Sequence, residues 1–346
     1  MKNLTLFSDN HLWLQRQAHT TPDSAVRLRT ALFDVSMKVV NESKHPVLCA
    51  GDLFDRSFNP EAGIVQGMQV GSRCWAVLSG NHDETNREGT VTSLMALAEA
   101  GVPVIRSKDL SAPYFEHHDS IYLVPHHASQ ELFLRAVAQA AAHAAETRDG
   151  LASYLVLHCN YDFTLAIEDD SLNLPAHVGE QLLEAFDFIF IGHEHIPSTH
   201  QGGRIVMLGN THPTSFHDIS DKFVYDLELE TATLTKRMIW SKDEGYLSLK
   251  VNSELPDLSK VQFIDVTGTP ADATVVEISE YIKTIWKAAP HMLAVRNCIQ
   301  PEDSLGGVDD VVEDVGLEHL PERIKRDLAG TELEEIFTEV LNGVTK

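Results

Sequence analysis

Ten short apolar, β-rich runs punctuate the first 250 residues: 3–8, 46–50, 73–78, 102–105, 120–124, 153–158, 187–191, 204–208, 223–229 and 233–240. Some are apolar at every position, as in Phe188-Ile189-Phe190-Ile191, the pattern of a buried strand. Helical patterns lie between them. Residues 24–40 carry Val26, Leu28, Leu32, Phe33, Val35, Val39 and Val40 at roughly helical spacing, and residues 129–147 are alanine-rich and helix-favouring. Alternation of strand and helix predicts an α/β layered core. The later runs lack long helices between them, which predicts a partly antiparallel sheet system.

A break falls near residues 252–260, "NSELPDLSK", and a smaller pattern follows. Residues 261–267 read as a strand and 293–299 as a second. Between them Thr269-Pro270-Ala271-Asp272 offers a helix start, with Thr as cap and Pro at the first helical position. Val275, Ile278, Ile282, Ile285 and Trp286 form one apolar face. The end, 331–341, is a short amphipathic helix, with Thr331 and Glu334 as a capping box and Leu333, Ile336, Phe337, Val340 and Leu341 on one face. A helix that short needs something to pack on, in this chain or in a partner.

Composition narrows the picture. With 346 residues the chain has room for about two domains. No apolar run approaches a membrane span, and the opening strand passes straight into Ser8-Asp9 rather than reading as a leader. Cys49, Cys74, Cys159 and Cys298 are scattered without a CxxC pair, which fits a reducing cytoplasm. The net charge of −24 argues against non-specific nucleic-acid binding by the chain as a whole. Residues 301–346 alone hold 13 acidic and four basic residues. Contact with a polyanion would require a local positive focus, which a metal site can supply.

Ligand-type residues recur where the apolar runs stop. Asp9-Asn10-His11, Gly51-Asp52-Leu53-Phe54-Asp55, Gly80-Asn81-His82-Asp83, His158-Cys159-Asn160 and Gly192-His193-Glu194-His195 each follow such a run. In open α/β sheets ligands gather beyond the carboxyl ends of strands. Taken singly these are turn formers or structural histidines. Five in order are not explained by turns, and two imidazoles at a sheet end are costly to bury unless bonded or ligated.

In that order the segments resemble the calcineurin-like metallophosphoesterase signature, over roughly residues 1–240. The resemblance implies an α/β (α+β) fold of two facing mixed β-sheets flanked by helices, with a dinuclear metal centre at one edge. It implies that Asp9, His11 and His195 hold one metal, that Asn81, His158 and His193 hold the second, and that Asp52 bridges both. His82 becomes the proton donor to the leaving group, oriented by a carboxylate such as Asp83, for which a turn cap is the competing role. Gly192 is read as the turn that lets the two histidines diverge, and Glu194 as pointing away. Imidazole, carboxylate and amide ligands suit Mn²⁺, Fe²⁺ or Zn²⁺ rather than a soft thiolate site; the resemblance makes Mn²⁺ the first expectation, with Mg²⁺ also open.

Further features resemble the SbcD-type subunits of the Mre-eleven double-strand-break repair nucleases. These are "GDLFD" at 51–55, "SGNHD" at 79–83, "RIVMLGNTHPTSFHD" at 204–218, and the later strand–helix–strand unit. The resemblance implies a nuclease domain over 1–250, a small capping, DNA-binding domain over 258–302, and an acidic helical segment over 303–346. That last segment would bind an SbcC-type coiled-coil ATPase. Its implied partners are DNA, that ATPase and a second copy of the chain, with no membrane. Archaeal and eukaryotic members carry histidine where Asp55 stands, so that histidine's role does not pass to Asp55. Two other readings stay open: a small-molecule phosphodiesterase or nucleotide hydrolase with the same centre, and a non-catalytic binding scaffold. His117-His118 and His126-His127 read as surface or loop residues rather than ligands, and His212 and His217 as residues of the loop after the metal histidines, within reach of DNA phosphates but with nothing in the sequence that requires that contact.

Overall fold

The computed structural model describes residues 1–15, 18–85, 90–147, 152–162 and 172–299. The terminal amphipathic segment and its capping box lie outside the described residues.

Two six-stranded sheets face each other. The first has the order β14-β13-β1-β2-β3-β4, formed by Asn3–Phe7 (β1), Val47–Cys49 (β2), Ala76–Leu78 (β3), Val104–Ile105 (β4), Lys222–Glu228 (β13) and Thr233–Trp240 (β14). The second has the order β11-β12-β10-β7-β6-β5. It contains Glu116–His118 (β5), Ile121–Val124 (β6), Tyr154–His158 (β7), Phe188–Gly192 (β10), Ser198–His200 (β11) and Ile205–Met207 (β12). Asn160–Tyr161 (β8) and Asn173–Leu174 (β9) form a short separate pair. The centres of both large sheets are parallel, and antiparallel strands close three of the four edges. The antiparallel content expected from the later runs is the β13–β14 hairpin and its pairing with β1.

The apolar runs of the central strands are continuous because those strands bury both faces. Leu4, Leu6, Leu48, Leu78, Leu123, Val156, Phe190 and Val206 point between the sheets into one core. Their neighbours point outward. Cys49, Val47 and Val77 meet the first sheet's outer cluster, and Leu155, Leu157, Ile189 and Ile191 meet the second sheet's. Helices cover these outer faces. Pro22–Glu42 (α1), Glu61–Gly71 (α2) and Ser93–Glu99 (α3) lie in the first half of the chain, and Gln130–Thr147 (α4) and Ala176–Leu182 (α5) in the second. Thr21 caps α1 in a capping box with Ser24, and Pro22 opens it.

A third, all-parallel sheet joins Tyr246–Lys250 (β15), Phe263–Thr267 (β16) and Ala294–Asn297 (β17), after the one-turn helix Lys242–Gly245 (α6). Its first strand lies before the break seen in the sequence, and no sequence run predicts it. Its helix, Val275–Ala288 (α7), starts later than Thr269. Thr274 is the cap, in a box with Glu277. Thr269 instead closes a turn, its N–H and Oγ1 both donating to Asp272. Val275, read as part of the apolar face, is exposed in the first turn; Ile278, Tyr281 and Ile285 are buried.

This unit is packed on the first sheet's side of the molecule. Leu28 and Leu32 of α1 share a cluster with Phe216, Trp240, Phe263 and Leu293. Arg27 donates to Met292 O, and Val295 N to His19 O. Among the described residues no helix is long and apolar enough to cross a membrane.

Candidate metal centre

The carboxyl ends of β1, β2, β3, β7 and β10 converge, and the residues after them turn back over the sheet edge. Asp9 (φ 54°), His11 (φ 45°), Asp52 (φ 49°) and His193 (φ 96°) all take positive φ. For residues with a Cβ this costs on the order of 1–3 kcal/mol each, and such strain concentrates at functional sites. Gly51, at φ 107°, sits where a Cβ would be 2.1 Å from His158 Nδ1, so only glycine lets the strands approach this closely. The turn assigned to Gly192 belongs to His193. Gly192 has no positive φ; a Cβ there would strike Ser8 Oγ at 2.2 Å and Ala50 O at 2.4 Å.

Two ligand sets result. Asp9, His11 and His195 offer atoms all within 4.8 Å of one another, and so do Asp52, His158 and His193. His193 and His195 thus reach different sets. Nε2 of His11 lies 2.9 Å from Nε2 of His195. Asn81 joins the second set, its Oδ1 being 3.2 Å from His158 Nε2 and 3.0 Å from His193 Nδ1. Asp52 Oδ2 is 3.2 Å from His158 Nε2, and its backbone oxygen accepts from His11 N at 3.1 Å. Glu194 is in neither set. A further grouping, His11 with Asp55 and His82, adjoins the first set.

The electrostatics suit cations. Burial, then His195, push the His11 pKa down to about 3; burial, then His158, take His193 to about 4. Both present neutral lone pairs at neutral pH. Burial alone would depress His158 too, but the Asp52 carboxylate outweighs it and lifts the imidazole to about 9, so the proton shared between His158 Nε2 and Asp52 would be displaced on metal binding there. The same pairing outweighs burial at Asp52 and holds it well below the usual carboxylate range.

The outer contacts set the tautomers. Nδ1 of His158 donates to Ala50 O at 2.9 Å, which leaves Nε2 for the second set. Nδ1 of His195 lies 3.3 Å from Asp218 Oδ2, which leaves Nε2 for the first. Asp218 also accepts from Asn210 Nδ2, Thr214 N and Oγ1, and Ser215 N. Lys222, fully buried, donates to His195 O, Asp218 O and Ser220 Oγ. Burial pulls its pKa down to about 8. Neither Asp218 nor Lys222 carries a sequence signal beyond its place in and after the 204–218 stretch. Substituting Asp218 by Asn should weaken divalent-metal binding by about 10- to 100-fold while the fold persists. Calorimetric titration of Mn²⁺ into both proteins checks this; equal affinities would remove Asp218 from the site.

Asp83 does not orient His82. Its carboxylate accepts from Leu53 N, Phe54 N and Gly80 N, so it pins the Gly51–Asp55 loop to the Gly80 turn. Burial, then the Asp52 charge, lift its pKa to about 7. His82 is held by others: its N–H donates to Asp52 Oδ1 at 3.0 Å and its Nδ1 lies 2.7 Å from Asp55 O. The remaining histidines divide. His117 and His118 are exposed; His126 and His127 lie in the loop after β6 but are buried there, and His127 bridges Tyr114 N and Pro125 O. His212 is buried against Gln262 and Pro213 O, while His217 is exposed.

The arrangement of ligands along the chain is matched by a known family profile, that of the calcineurin-like phosphoesterases, over residues 2–197. The chain belongs to this family. A calcineurin-like phosphoesterase typically holds a dinuclear divalent centre, and the residues here fit one: each set joins imidazoles to a carboxylate, with nitrogen and oxygen lone pairs converging. Two divalent ions in such a centre supply positive charge for a phosphoryl group and activate water at neutral pH.

Comparison with curated proteins found no match. Solved structures similar to this phosphoesterase include a Staphylococcus aureus protein described as a 5′-nucleotidase, in complex with α-ketoglutarate. It has 12% identity and a TM-score of 0.43, with 68% of this chain and 52% of that one covered. This chain therefore spans about half the length of that protein. Others are the phosphopantetheinyl hydrolase of Mycobacterium tuberculosis (14% identity, TM-score 0.38, coverage 60% and 90%) and a metallophosphoesterase from Sphaerobacter thermophilus (12% identity, TM-score 0.32, coverage 69% and 89%). At such identities no substrate passes from those proteins to this one.

Proposed function

We propose that this phosphoesterase is an SbcD-type nuclease subunit, hydrolysing DNA phosphodiester bonds as exonuclease and endonuclease with two divalent ions, Mn²⁺ foremost. The observation that carries the reading is the third sheet. It lies beyond the residues the family profile covers, and it packs beside the loop that holds Asp218. A small phosphoester needs only a closed cavity at the metals. An added unit beside the sheet edge lengthens the surface available to a polymer, and its strand–helix–strand order after the nuclease part resembles that of the SbcD-type capping domain.

The test is degradation of end-labelled duplex and single-stranded DNA by the purified chain with Mn²⁺, against 5′-nucleotides and cyclic nucleotides. Shortening of DNA that EDTA abolishes supports the nuclease. Turnover of nucleotides without DNA shortening favours the small-molecule phosphodiesterase, the second reading.

As partner we propose a coiled-coil ATPase of the SbcC type, engaged by the amphipathic 331–341 pattern, with the nuclease working as a dimer in the complex. The net charge of −24 leaves most of the DNA grip to that partner. Removing residues 331–346 should abolish co-purification with the ATPase and spare hydrolysis of a small phosphodiester. Retained co-purification would sink the docking segment.

A further inference from the structure

A depression of about 440 Å³ adjoins the metal centre, lined by Arg56, Phe58 and Glu84 together with Asp55, Asn81 and His82. Two of its walls are unusual for this chain. Phe58 is a large apolar side chain left 48% exposed, and Arg56, at 58% side-chain exposure, is a cation in a protein of net charge −24.

The backbone that carries them is fastened on both sides. Ser57 O accepts from Ser93 N at 2.7 Å, Asn59 N donates to Ser93 Oγ at 2.8 Å, and Asn59 Nδ2 donates to Arg56 O at 2.6 Å. Pro60 then leads into α2. A fastened backbone leaves only the ring's own rotation to be ordered when a ligand covers it, which keeps the entropy cost low. Arg56 is held only loosely, its Nε 3.9 Å from Asp55 Oδ2, an oxygen that also accepts from Gln15 N.

We propose that Phe58 is the stacking platform for the nucleobase beside the scissile phosphate, with Arg56 facing a neighbouring backbone phosphate. This deepens the nuclease reading and rests on it. The volume lies within the range of small-ligand sites, about 300–1,000 Å³, so it takes one nucleoside rather than a duplex segment. A paired base inside a duplex has both π-faces covered. The ligand class is therefore an unstacked nucleotide, from a single strand or a frayed end. Aromatic stacking is indifferent to base identity, because every base has a π-face. That suits a nuclease without sequence preference.

The experiment uses the full chain with Mn²⁺ and single strands carrying one cleavable linkage. One strand is fully based and the other is abasic at both nucleotides flanking that linkage. Phe58→Ala should lower kcat/KM on the based strand by about 5- to 150-fold, mainly through KM, and leave the abasic strand at the parent's rate. Phe58→Trp should restore the loss. A fall of equal size on both strands, or none on either, overturns the platform while the nuclease stands. If the parent cuts neither strand, the nuclease reading falls and takes the platform with it. Thermal unfolding of each variant shows whether a fall on both strands is merely loss of fold.

Discussion

Asp52→Asn should lose phosphoester hydrolysis by on the order of 10³-fold, about 4 kcal/mol of transition-state stabilisation. Asp52 is buried, and each of its oxygens is committed. Oδ1 accepts from His82 N at 3.0 Å, and Oδ2 faces His158 Nε2 at 3.2 Å. An asparagine cannot choose its orientation here. Its amide oxygen must stay opposite the His82 N–H, since an NH₂ would set donor against donor. The NH₂ then takes the Oδ2 position, where it directs hydrogens at a place that needs lone pairs. The second ligand set loses its only carboxylate, and the charge holding His158 disappears. The measurements are kcat/KM on bis(p-nitrophenyl) phosphate and the number of Mn²⁺ bound, with circular dichroism as the check on folding. A variant within tenfold of the parent at full metal occupancy would displace Asp52 from the centre.

His82→Ala should reveal its role through the leaving group. The backbone carbonyl of Asp55 can only accept, so Nδ1 carries a hydrogen in either charge state. Nε2 is the nitrogen left to face a leaving group. His82 lines the depression beside Asn81 while its backbone is tied to Asp52, so its ring is placed by contacts that survive truncation elsewhere. A sugar alkoxide leaves badly without a proton, and general acid catalysis is worth about 10²–10⁴-fold. A p-nitrophenolate leaves well alone. The variant should therefore fall by about 10²–10⁴-fold on DNA or an alkyl phosphodiester but by less than about tenfold on bis(p-nitrophenyl) phosphate. Equal losses on both substrates would make His82 a binding residue instead of an acid.

Much of this molecule can be read along the chain. The central strands of the two large sheets are apolar runs because they bury both faces, and runs of that kind show without any partner being known. The short edge strands β5 and β11 escape notice because they are exposed and polar, with Glu116, His117 and His118 in one and Ser198, Thr199 and His200 in the other. In β15, Leu249 is the one position counted as buried, too few to stand out from a loop. The start of α7 is ambiguous along the chain because Thr269-Pro270 and Thr274 are both good local caps; packing of Ile278, Tyr281 and Ile285 decides between them.

The site divides in the same way. Its ligands are legible because each stands at the end of an apolar run, a relation between neighbours in sequence. By itself the sequence determined the α/β alternation of apolar runs and helices and the ordered ligand-type residues; the two facing sheets and the metal chemistry came through the family resemblance that those residues carry. Tertiary structure alone decided that Asp83 pins a loop while Asp55 O holds His82, that His193 makes the turn, and that Asp218 and Lys222 back His195. Those contacts join side chains and carbonyls that any loop may contain. Which of them meet depends on how strand ends from two separate sheets are brought to one edge, and no spacing along the chain encodes that.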